Sequence, residues 1–217
     1  MRRMDRVRAV AGLGWVAVGV GLQVWALAGR GVVPGPVTQG IGVAVLVLAV
    51  TAVARLPRAG WVAGWLVAGL LGLNFAGAVA DRFGVFGPPG TDRVSWGSWP
   101  AFLGYTARLL PGLGAGPVLA AAVAATGLEI ALAALLISGW QRRWVGKASA
   151  GLLLVYLVSM AVTVGIDAVA TYALPTLIGG ALLVSASPVR RPRPVGRADH
   201  APDAALHLAA ANGSVRR

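Results

Sequence analysis

The sequence predicts an all-α membrane protein: six transmembrane helices, both termini cytoplasmic, and an interfacial helix in the long outer loop. Three observations carry that prediction. Apolar residues make up 57% of the 217 residues and charged residues only 12%, too little charge to coat a soluble domain of this size. Six apolar stretches can be cut from the chain, at residues 10–28, 37–54, 61–80, 117–139, 148–165 and 168–187. Each is long enough for a helix rising ~1.5 Å per residue to cross a hydrocarbon core of ~30 Å. With six spans, the basic residues sort to one side: of 19 Lys and Arg, only Arg30, Arg82, Arg93 and Arg108 fall on the other. The positive-inside rule then makes the basic side cytoplasmic. Another number of spans would scramble the asymmetry, so count and orientation support each other.

Taken in order, the first span follows a basic start and ends in Ala26-Leu27-Ala28 before Gly29, which resembles a secretory signal with a small-residue cleavage site. Its apolar run of about 19 residues exceeds the usual signal core, and Trp25 crowds the junction, so a retained helix is expected. A Gly-Pro-containing turn, 29–36, joins it to the second span. Arg55-Leu56-Pro57-Arg58 is a compact basic turn before the third. Residues 1–56 therefore read as an N-terminal transmembrane hairpin and 57–187 as a four-helix transmembrane core. The third span carries Gly60, Gly64, Ala68, Gly72, Ala76 and Ala80 at four-residue spacing, a pattern that lets another helix approach closely in lipid. Packing within the bundle is the expected use of this spine; homodimerisation is the alternative.

The long outer loop, 81–116, is not featureless. Trp96, Trp99, Phe102, Leu103, Thr106, Leu109 and Leu110 recur at helical spacing. Ser98 can cap the start of that helix, and Pro100 suits its first turn. Such an amphipathic helix lies in the outer interface or folds over the mouth of the bundle. Gly112-Leu113-Gly114-Ala115-Gly116 follows no strand and opens a spanning helix, so it reads as an entry turn rather than a phosphate loop. The tail, 188–217, mixes Pro, Arg and Ala without a core-forming pattern and is expected to be a disordered basic cytoplasmic segment.

Composition also excludes chemistry. There is no cysteine, and the two histidines, His200 and His207, sit in the tail. Disulfides, thiol redox chemistry, cysteine-ligated clusters and a histidine-ligated haem within the bilayer are therefore excluded for this chain. No catalytic triad, metal motif or nucleotide fingerprint is present, so no catalytic residue, metal site or intrinsic cofactor is assigned. The net charge of +12 would suggest nucleic acid in a soluble protein; here it flanks apolar spans, and the partner it implies is a bilayer with anionic headgroups.

Two polar groups remain. Glu129 is the one ionisable side chain inside the apolar stretches, and a lone acid in hydrocarbon must be neutral or partnered. Helical depth places Thr126, Tyr156 and Ser159 near it, giving a candidate ligand or proton site of Glu129, Thr126, Tyr156 and Ser159. The alternative is helix-to-helix glue. At the outer mouth lie Asn74, Asp81, Arg82, Tyr105, Arg108 and Asp167, read as a candidate vestibule for a polar head group or as ordinary helix-end charge.

Further points follow from particular motifs. Ala78-Val79-Ala80-Asp81-Arg82-Phe83-Gly84 closes one helix, Trp99 leads to Tyr105-Thr106-Ala107, Glu129 precedes an apolar run ending at Gly139, and a Trp- and Arg-bearing turn, 140–144, comes next. With Ser159-Met160 and 174–180, these resemble the DoxX family of small bacterial membrane proteins over about 130 residues, the family's four-helix core by analogy. The N-terminal hairpin lies outside the resemblance. It implies a bacterial cytoplasmic (inner) membrane location, contact with quinone, and service as a non-catalytic accessory or anchoring subunit to a redox partner protein. From the residues alone, a small-molecule or proton carrier using Glu129 and a purely structural role stay open.

Overall fold

The computed structural model describes residues 3–32, 35–91 and 94–187. Eight helices lie among them: α1 (Arg3–Arg30), α2 (Pro36–Val53), α3 (Pro57–Arg82), α4 (Trp99–Leu109), α5 (Ala115–Ser138), α6 (Arg142–Thr163), α7 (Ile166–Thr171) and α8 (Leu174–Ala186). Five of them, α1, α2, α3, α5 and α6, are long and apolar enough to cross a membrane, and the chain is a multi-pass membrane protein. The expected disordered tail and Arg93 lie outside the described residues.

The sixth expected span, 168–187, is not one helix. Gly165, at φ 109°, turns the chain out of α6, and Ala173, at φ 50°, separates α7 from α8. The cause is legible two residues on. Pro175 has no N–H to offer the Thr171 carbonyl, and its ring would collide with that carbonyl in a continuous helix. What is left, α8, has 13 residues. Asp167 meets Arg30 at one end of the bundle, whereas the Ser185 carbonyl accepts from Arg8 at the other. The broken pair α7–α8 thus carries the chain from the Arg30 end to the Arg8 end.

This short helix is the axis of the fold. From Leu174 to Ser185 nearly every residue of α8 is buried, because its small residues admit neighbours on several sides. Gly179 lies against Val16 and the Gly12 carbonyl of α1, Gly180 against Val45 of α2, and Gly146 of α6 against the Ala181 carbonyl. A Cβ on Gly19 of α1 would stand 2.6 Å from the Thr176 backbone nitrogen. In lipid, where apolar burial drives little helix association, such close backbone approach supplies dispersion contacts.

The two N-terminal helices are therefore packed on the axis rather than set beside it. Ile41, Val45 and Leu48 of α2 are buried in the same core as Val67 and Leu71 of α3 and Ile178 of α8. The α3 spine, in turn, serves several neighbours within the chain. Gly60 faces Thr51, Gly64 faces Ser187 and Arg142, and Gly72 faces Ala133, Leu136 and Ile137.

Candidate functional site

The expected lone acid is not alone. Glu129, 1% exposed, is paired with Arg82, also 1% exposed. The Arg82 guanidinium Nη2 lies 2.8 Å from Glu129 Oε1, to which it donates, and 2.7 Å from Oε2. Its Nη1 donates to Thr126 Oγ1 at 2.8 Å, and Thr126 Oγ1 donates to the Ala122 carbonyl. Tyr156 donates its hydroxyl to Glu129 Oε1. Ser159 does not join them; its backbone carbonyl accepts from Thr163 Oγ1.

Of the two states open to a lone acid, neutral or partnered, the structure supplies a partner, and it merges two groups read as separate. Arg82 ends α3, a position that in sequence suggests an aqueous mouth. In the fold, α3 runs antiparallel to α5, and its last turn meets α5 roughly 14 residues, or ~21 Å, past that helix's start. The first part of α5 thus projects beyond α3, and α4 closes over the step. Ser98 caps α4 by accepting from the Ala101 N–H at 3.3 Å, as its position foretold. Phe102 and Thr106 of α4 are buried. The helix thus folds over the end of α3.

The roof is aromatic. The Arg82 Cζ lies 3.9 Å from the Phe102 ring centroid and 5.2 Å from that of Trp96, while Trp96 meets Phe102 edge-on at 5.2 Å. A guanidinium over ring faces is held by the ring quadrupole as well as by its carboxylate. Asp81, 5% exposed, pins this roof: its Oδ2 accepts from the Ser95 and Trp96 N–H groups at 3.0 and 2.9 Å. Trp96 and Phe102 were legible as helix-face aromatics and not as site residues. Their signal was three aromatics, Trp96, Trp99 and Phe102, within seven residues of a loop that follows an Arg at a helix end.

The remaining vestibule candidates divide. Tyr105 packs 6.0 Å from Trp96; burial, with a smaller contribution from Tyr172 and against the effect of Arg108, pushes its phenol up to about 12. Arg108 is exposed, and its Cζ lies 5.5 Å from the Tyr105 ring centroid. Asp167 pairs with Arg30 at 2.7 Å, both about half exposed, and so staples α7 to α1 instead of lining the site. Asn74 sits two helical turns before Arg82, ~12 Å deeper along α3.

Three buried atoms in this zone have neither a hydrogen-bond nor an ion-pair partner among the described residues, Arg82 Nε, Asp81 Oδ1 and Tyr105 Oη, whereas Glu129 Oε2 accepts no hydrogen bond but is held in the ion pair. Buried polar atoms are rarely left unused, and this set offers both donors and acceptors. No group of three or more His, Cys, Asp or Glu side chains is placed to hold a metal among the described residues. No family model, no curated protein and no solved structure matches the chain.

Proposed function

We propose that this multi-pass membrane protein is a non-catalytic subunit of DoxX type that holds the head group of a quinone-class carrier at the Arg82–Glu129 centre for a redox partner protein. One observation carries the reading: the unused donors and acceptors beside the ion pair. A quinone presents carbonyl oxygens that accept hydrogen bonds, and its reduced form presents hydroxyls that donate. Arg82 Nε and the Tyr105 hydroxyl suit the first form, and Asp81 Oδ1 suits the second. Trp96 and Phe102 give the site an aromatic wall, with Arg82 over one face of each ring. With no cysteine in the chain, thiol-based electron transfer would belong to the partner.

The test is purification in mild detergent with mass spectrometry of the bound lipids and proteins. Quinone should accompany the wild type and be lost from the double variant Arg82→Met/Glu129→Leu, which removes the polar centre while keeping its bulk. Quinone no more abundant than in an unrelated membrane protein, or equally retained by the double variant, overturns the reading. A carrier that titrates at Glu129 would instead show pH-dependent flux in liposomes that the same variant abolishes.

A further inference from the structure

At the opposite end of the bundle lies a second group of cations whose donors are sheltered and unused. Arg142 stacks on Trp65, its Cζ 4.2 Å from the ring centroid. Its Nε and Nη2 are buried without a hydrogen-bond partner, and so is Arg143 Nε. Ser187 Oγ and Arg142 Nη2 come within 2.8 and 3.7 Å of where a Cβ on Gly64 would stand, so the glycine lets Ser187 and the guanidinium pack closely against α3. Both arginines occupy the first turn of α6, which contains no acid. There the helix dipole opposes a cation, so a structural ion pair would be expected if the chain supplied one.

It does not supply one among the described residues. Asp5 is taken by Arg8, and Asp81, Glu129 and Asp167 all serve the other half of the bundle. We infer that Arg142 and Arg143, braced on Trp65, form a binding site for the phosphate of an anionic lipid. A guanidinium with two free N–H groups in one plane matches two phosphate oxygens. The source is a lipid rather than a free phosphate because the surface beside these arginines is apolar and exposed. Val62 and Leu66, flanking Trp65, are 59% and 53% exposed. Trp140 and Trp144 are exposed at the same end, where aromatic side chains mark the membrane–water interface.

The full chain in uncharged detergent can be titrated with short-chain phosphatidylglycerol, short-chain phosphatidylcholine or inorganic phosphate, reading the thermal midpoint. Phosphatidylglycerol should raise the midpoint in a saturable way and the other two should not. Arg142→Gln should raise the half-saturating concentration at least tenfold, and Arg58→Gln, an exposed cation at the same end, less than twofold. Where Arg142→Gln does not fold, Arg142→Lys keeps the charge and loses the planar fork, and at least threefold weaker binding is expected. Equal binding by either Arg142 variant, equal response to phosphatidylcholine, or the same effect from inorganic phosphate overturns the inference.

Discussion

Arg82 and Glu129 are a buried ion pair, and such a pair is fragile to single substitution. Removing one partner leaves an uncompensated charge in a dry interior, whereas replacing both by apolar residues is often neutral. Glu129→Gln and Arg82→Gln are each expected to cost about 3–5 kcal/mol, and Arg82→Met/Glu129→Leu to fall within ~1 kcal/mol of the wild type. Reversible unfolding in detergent checks this; a Glu129→Gln variant as stable as the wild type would mean the pair is not what holds α3 to α5. Tyr156→Phe removes one hydrogen bond to Glu129 and leaves the pair intact. Its expected cost is smaller, about 0.6–2 kcal/mol, the usual range for hydrogen bonds between membrane helices. Glu129, Thr126 and Tyr156 were legible as a cluster because helical rise fixes depth. Arg82 was not, because its depth depends on how far α5 outruns α3, and local sequence does not encode that register.

Among the elements, α8 and its seam with α1 decide whether the bundle closes. Gly19→Ala would drive a methyl into the backbone of Thr176, and overpacking of this kind costs about 1–3 kcal/mol. Gly14, with nothing within 4 Å of its would-be Cβ, is the control: Gly14→Ala should be neutral or slightly stabilising, since alanine favours the helix. Equal effects at the two positions would contradict the seam. Deleting residues 1–56 should also destabilise what remains, because it uncovers Gly179 and Gly180 and removes Val45 from the core. A truncated chain with an unchanged thermal midpoint would show that α1 and α2 are dispensable to packing. The four-residue stripe on α3 was readable as a packing surface. Its distribution among α2, α5, α6 and α8 was not, since spacing says how closely a neighbour can come and not which neighbour arrives.

For the whole molecule, the testable quantity is sidedness. Reporter fusions after Arg58, Arg143 and Ser187 should report one side, expected to be the cytoplasm, and fusions near residues 34, 90 and 167 the other. Fusions at 167 and 187 reporting the same side would mean that α7 and α8 do not carry the chain across. The class of the molecule follows from the sequence because it rests on summed quantities: apolar length per segment, and the side on which the arginines fall. Neither depends on which helices touch. Pro175 stood inside the sixth apolar stretch, and hydropathy averaged across it. Only the packed structure shows the break at Ala173 and makes the short helix beyond it the axis of the bundle. Only the packed structure, likewise, brings Arg82 onto Glu129. Hydropathy and helical period act along one helix, whereas an ion pair between residues 47 apart is set by the offset between two helices and by the aromatic roof that seals them from water.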